Sequence, residues 1–151
     1  MQINESFGYL INMTARNVKK ELEEKIKEYD ITSSQWAVLK VLSEERAFTQ
    51  AEVAKKLSAD RATTGSVIDR LLDKKLIYRN QCENDRRANK VSLTEYGLEL
   101  TKKICMEAIE CNKKALAGFD DKDIQKFIWF LKKINSNLDR GESNVMEIRD
   151  I

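Results

Sequence analysis

Phe7, Leu10, Ile11, Thr14, Val18, Leu22, Ile26 and Tyr29 recur at steps of three and four. This predicts one long amphipathic helix over residues 5 to 29, with Lys19, Glu23 and Lys27 on the opposite face. Thr32 to Gln35 reads TSSQ, the spacing at which a threonine oxygen takes an orphan amide three residues on while the glutamine reaches back. A second helix should therefore run from about Ser33 to Glu44 and bury Trp36, Val38, Leu39 and Leu42. TQAE at Thr49 to Glu52 repeats the signal and opens a short helix with Val53, Ala54 and Leu57 inward. Asp60 is a good N-cap for a fourth helix to about Lys74, whose inward stripe is Thr64, Val67, Ile68, Leu71 and Leu72.

The period then changes. Residues 76 to 81 form a short β-prone run, CENDRRA is turn-like, and Asn89 to Leu93 alternates polar and apolar positions, so a β-hairpin is expected. Thr94 stands where an N-cap belongs, with Glu95 near the positive end of the helix that follows to about Ala117. GFDD at Gly118 to Asp121 breaks that helix and caps a last one, whose inward stripe would be Ile124, Phe127, Ile128, Leu131, Ile134 and Leu138. The tail from Gly141 has no period and is expected to lack order.

Charge changes the picture because it is uneven. The chain carries a net +2, but residues 1 to 54 hold 7 basic and 9 acidic side chains, residues 55 to 90 hold 10 and 5, and residues 91 to 151 hold 10 and 11. The positive excess is thus confined to the segment containing the fourth helix and the hairpin, as a polyanion-binding surface requires. The chain has no histidine, which removes the commonest general base and transition-metal ligand. No grouping of nucleophile and base stands out, so neither an enzyme nor a metal or other cofactor is expected. Cys82, Cys105 and Cys111 are an odd number without a CxxC pair, which argues for reduced thiols. Cys105 and Cys111 lie six apart, about 120° from sharing a helix face, so they cannot bridge within a regular helix. Cys82 is the one thiol near the hairpin, and a redox-sensing role for it is a minor alternative. No window approaches the roughly 18 apolar residues of a membrane span, and the N-terminus lacks a basic leader and small-residue cleavage site. A cytoplasmic protein without a membrane partner is expected.

Short helix, turn, helix, hairpin is the order of a winged helix-turn-helix. A helix fits the major groove of B-form DNA, where base pairs are distinguishable, the preceding helix crosses the backbone, and the hairpin reaches phosphates or the minor groove. On this reading Arg61, Thr63 and Ser66 face outward from the recognition helix toward bases or phosphates, and Gln50 helps bind a phosphate at a helix N-terminus. Arg87 enters the minor groove, aimed by Asp85, and Arg86 and Lys90 meet phosphates. Asp69 and Arg70 suit a structural ion pair slightly better than DNA contact. Trp36 is most simply core; alternatively it walls a ligand crevice with Met13 and Arg16.

The wing DRRANKVSLTEYG resembles that of the MarR family of bacterial transcriptional regulators at Asp85, Arg87, Leu93, Thr94 and Gly97. TQAEVAKKLSADRATTGSVIDRLLDKKLIYR is similar to the family's helix-turn-helix, with Gln50, Leu57, Thr63, Asp69, Arg70 and Leu71 in step. The resemblance covers nearly the whole chain. It implies a mainly α fold with a small β-hairpin wing: a single domain over residues 1–141, with a lobe at about 32–94, dimerisation helices at about 5–29 and 95–139, and a tail at 142–151. It further implies an obligate homodimer on pseudo-palindromic double-stranded DNA, usually a repressor, released in many members by a small phenolic or amphipathic effector. The alternative is a winged-helix module for protein contacts without specific DNA binding. Three positions depart from the family's usual pattern. Lys75 stands where the recognition helix commonly ends in glycine, Ala62 replaces a common serine, and Gly65 replaces a polar or β-branched residue inside that helix. The missing side chain of Gly65 would let the backbone approach base edges. Ala62, Gly65 and Arg70 therefore join the candidate DNA-facing set.

Overall fold

Both expected capping boxes form. In the computed structural model, which describes residues 3–80 and 89–138, the Thr32 hydroxyl accepts from the Gln35 amide at 3.2 Å and Gln35 Oε1 accepts from the Thr32 amide at 3.1 Å. These bonds satisfy donors that a helix start leaves orphaned and set α2 at Ser33–Leu42, two residues shorter than expected. The long helix before it, α1, spans Phe7–Ile26 and tightens into a 3₁₀ turn over Lys27–Tyr29. That turn closes at Asp30 in the left-handed region (φ 53°), with its amide donating to Lys27 O.

A two-residue strand, β1 (Phe48–Thr49), precedes α3 (Gln50–Lys56) and α4 (Arg61–Asp73). The hairpin strands are β2 (Ile77–Asn80) and β3 (Lys90–Leu93). The sheet is antiparallel with order β1-β3-β2, pairing Phe48 with Val91 and Ile77 with Leu93. β1 was not anticipated, because two residues carry no readable period. Helix α5 covers Glu95–Ala115, stopping two residues before the expected end.

The core of this first compact unit, which runs to Ala115, lies between α2, α4, the sheet and the first half of α5. Leu39, Val53, Leu71 and Ile104 are fully buried there, and Trp36 packs among them. Leu22 and Tyr29 pack partly against this core.

Two expected stripes are not buried within the chain. In α1, Ile26 is the sole buried residue, and Phe7, Leu10, Ile11 and Val18 are exposed. Helix α6, Asp121–Leu138, belongs to a second unit beginning at Leu116 and buries none of its residues. Its cap is as expected: Asp120 Oδ1 accepts from the Asp123 amide at 2.8 Å, just after Gly118 turns at φ 90°. The apolar spacing of both helices is as expected, but among the described residues these faces remain largely exposed. Among the described residues no helix is long and apolar enough to cross a membrane.

Candidate nucleic-acid interface

The site begins at Thr49. Its hydroxyl accepts from the Glu52 amide at 3.2 Å, and Glu52 Oε2 accepts from the Thr49 amide at 2.6 Å. These Thr49 bonds, from the backbone amide first, hold the Glu52 carboxyl below its usual range. After Lys56 the chain turns through Ser58, at φ 49°, while the Ala59 amide reaches Ala54 O at 3.0 Å. Asp60 then starts α4: its Oδ1 accepts from the Thr63 amide at 2.8 Å. The Thr63 side chain and then its amide hold the Asp60 carboxyl low.

Helix α4 divides as its sequence requires. Thr64, Ile68 and Leu71 are buried, with the Thr64 hydroxyl donating to Asp60 O at 2.8 Å, so a polar group in the interface is satisfied. Ala62, Thr63, Ser66 and Arg70 are exposed on the outer face, and Arg61 is exposed at the helix start. Asp69 takes the expected structural ion-pair role, with Arg79 on β2 at 2.8 Å, tying the wing strand to the recognition helix. Both partners are half-exposed or more, so the pair orients more than it stabilises.

Lys75 does adopt the left-handed conformation, φ 57°. The Leu76 amide donates to Leu71 O at 3.1 Å and the Lys75 amide to Leu72 O at 2.9 Å, the two bonds of a Schellman motif. The buried pair Leu71 and Leu76 supplies the apolar contact that accompanies it. The helix thus ends where a glycine would end it, without one.

Thr94 locks the wing to that end. Its amide donates to Leu76 O at 3.0 Å, its hydroxyl lies 2.9 Å from Lys75 O and 3.1 Å from Leu76 O, and its oxygen accepts from the Gly97 amide at 2.9 Å. Thr94 is therefore N-cap of α5 and clamp on α4 together. A Cβ on Gly97 would sit 1.9 Å from Leu76 O, so only glycine permits this approach. In the sheet, the buried Ser92 hydroxyl donates to Arg46 O at 2.7 Å and accepts from Asn80 Nδ2 at 2.8 Å. This bracing of the wing base had no signal in the sequence.

Gln50, Arg61 and Gly65 come together. Gln50 Nε2 donates to Arg61 O at 3.0 Å, and a Cβ on Gly65 would lie 2.6 Å from that nitrogen. The space beside Gly65 is occupied by the Gln50 amide, which corrects the expectation that it is left open for base edges. Lys90 is half-buried at the first residue of β3, paired with Asn80 and Thr49. Asp85, Arg86 and Arg87, like Cys82 and the 142–151 tail, lie outside the described residues.

The three residues considered for an effector crevice differ in burial. Trp36 is in the core, Met13 is half-buried on α1, and Arg16 is exposed. A crevice of about 430 Å³ opens elsewhere, between Thr49, Gln50, Ala51, Ile68, Arg79, Asn89 and Val91. Cys105 is half-buried and Cys111 buried on α5. Burial first, then the nearby Glu21 carboxylate, pushes the Cys111 thiol up, which makes it a poor nucleophile.

A short helix crossing ahead of an outward-facing second helix, both braced on a three-stranded wing, defines a winged helix-turn-helix protein. Residues 31–88 match the MarR family model. The chain is 30% identical over 125 residues to the HTH-type transcriptional regulator YwoH of Bacillus subtilis, covering 83% of this chain and 90% of that protein. It is similar to a mutant E. coli MarR crystallised with operator DNA (TM-score 0.78, 26% identity, 84% of this chain and 91% of that one). It is likewise similar to the S. aureus MepR–DNA complex (TM-score 0.82, 25% identity, 87% and 98%). The chain belongs to the MarR family of transcriptional regulators, and its fold is the winged-helix fold of that family.

Proposed function

We propose that the protein is a cytoplasmic, non-enzymatic repressor that binds a pseudo-palindromic operator as a homodimer and lays α4 in the major groove of each half-site. The observation that carries this reading is the outer face of α4. Ala62, Thr63, Ser66 and Arg70 are exposed there, and Arg61 at the helix start, on the segment with the chain's positive excess. Arg61 opens the helix and can offer a guanine two parallel hydrogen bonds, while Thr63 and Ser66 suit bases or phosphates. Lys90, and by sequence Arg86 and Arg87 beside Asp85, supply the wing's cations for phosphates and the minor groove. Gln50, Gly65 and Thr94 hold the elements that carry these groups. The lobe and its flanking helices, residues 1–141, act as one unit in the dimer, whose contacts come from the long helices. A phenolic or amphipathic effector, meeting Trp36, Met13 and Arg16, releases the DNA.

The test is anisotropy of a fluorescent duplex from the gene's own upstream region, at two salt concentrations, beside a scrambled duplex. Wild type should prefer its own duplex and lose affinity as salt rises. Arg61→Ala should weaken that preference by about 1–3 kcal/mol. Binding insensitive to salt and sequence would favour the protein-contact reading instead.

A further inference from the structure

We propose that Gln50 and Gly65 form one strut that fixes the angle of the recognition helix, so that Gln50 is a positioning residue rather than a DNA ligand. This rests on the operator-binding reading above. Gln50 is the first residue of α3 and is itself fixed by the Thr49 capping box. From there its side chain crosses to α4, where Nε2 donates to the carbonyl of Arg61, the first residue of that helix. In an α-helix that same carbonyl accepts the amide of Gly65, four residues on. The Gln50 amide therefore extends the helix's own hydrogen bonding sideways onto the preceding helix. It can lie there because residue 65 has no side chain. The Gln50 nitrogen, carbon and oxygen would stand 2.6, 3.4 and 3.6 Å from a Cβ at that position.

Glycine in a helix interior is a poor choice on propensity, and the three nearest heavy atoms to that Cβ position all belong to Gln50. The pairing thus explains both residues at once. The bond also lands on the residue most suited to reading a guanine: the Arg61 carbonyl is held by Gln50 while the residue itself is exposed. Loss of the strut leaves Arg61 in place but free to tilt with its helix. The consequence is lost discrimination between duplexes rather than lost folding.

The experiment is a double-mutant cycle of Gln50→Ala, Gly65→Ala and the double variant. It is read by thermal melting and by affinity for a duplex that the wild-type protein selects from a random library, beside a scrambled duplex. Gly65→Ala should melt at or above wild type, since alanine is the better helix former, yet lose roughly 5- to 20-fold in its preference for the selected duplex. Gln50→Ala should lose a similar factor, and the double variant no more than Gln50→Ala alone, because each change breaks the same strut. Losses that multiply in the double variant, or full discrimination by Gly65→Ala, would overturn the proposal. If wild type enriched no sequence at all, the operator reading would fall. The strut would then stand or fall on melting, where coupled effects support it and additive ones refute it.

Discussion

In the lobe, α2 buries six of its ten residues, while α6, with an equally clear three-and-four apolar spacing, buries none. The difference lies in what each helix meets. The apolar face of α2 finds α4, the sheet and α5 within the same chain, whereas Phe127, Ile128, Trp129 and Phe130 are each 45–47% exposed. Ile124, Phe127, Ile128, Leu131, Ile134 and Leu138 form one apolar face of α6, and Trp129 and Phe130 widen it. A face of this size left exposed marks a surface that another partner covers. Periodicity therefore tells that a face must be covered but not by which molecule, and the exposed Phe7, Leu10 and Ile11 of α1 tell the same.

The comparison breaks most sharply at Gly97, where the lobe is closed by backbone contact. Gly97→Ala would drive a methyl group into Leu76 O, which neither helix end can yield without losing the Thr94 bonds. We expect a loss of about 3 kcal/mol or more in urea denaturation. A variant as stable as wild type would show that the α4–α5 junction is not rigid.

The flanking region is probed by the double substitution Phe127→Asp with Phe130→Asp. Dimer contacts of this apolar kind lose about 2 kcal/mol or more for each central aromatic removed, so sedimentation equilibrium should show dimer giving way to monomer. The two tryptophans report separately on the two regions. Trp129 fluorescence should become more accessible to acrylamide, while Trp36, at 9% exposure in the lobe core, should stay protected. An unchanged dimer would place its contacts elsewhere.

A smaller effect, and of opposite sign, is expected at Lys75. Its left-handed backbone, φ 57°, costs a residue with a Cβ about 1–2 kcal/mol, part of which glycine returns through the freedom it gains in the unfolded chain. Lys75→Gly should therefore stabilise by about 0.5–1 kcal/mol, raising Tm by about 1–4 °C. A fall in Tm would mean that the lysine side chain contributes more than its backbone costs.

Much of this arrangement was legible because its causes are local. A capping box needs four residues, and TSSQ, TQAE and Asp60 each set a helix start where the sequence placed it. The same holds for Thr94 as N-cap and for Lys75 as an unusual C-terminal residue. What was not legible depends on residues far apart in the chain: β1 pairing with β3, Ser92 bracing Arg46 and Asn80, Arg79 choosing Asp69, and Gln50 lying over Gly65. A glycine announces missing volume, and only the fold says whether DNA, a helix end or a glutamine fills it. Gly97 and Gly65 are filled by different neighbours, a backbone carbonyl and a side-chain amide.

The smallest effect separates the lobe's helix starts from the rest of its stability by pH. The Asp60 carboxyl is held below its usual range by the Thr63 side chain and then by the Thr63 amide. A group whose pKa is lower folded than unfolded adds stability above its unfolded pKa, near ~3.9 for aspartate. That stability is lost as pH falls through the folded value. Asparagine caps a helix about as well but does not titrate. Asp60→Asn should therefore leave Tm at neutral pH nearly unchanged while making its decline below about pH 4 shallower. Glu52, lowered by its bonds from Thr49, keeps titrating in that variant, so some acid sensitivity should persist at the start of α3. If the two acid profiles superimposed, the Asp60 cap would contribute nothing through its charge, and the start of α4 would rest on the hydrogen bond alone.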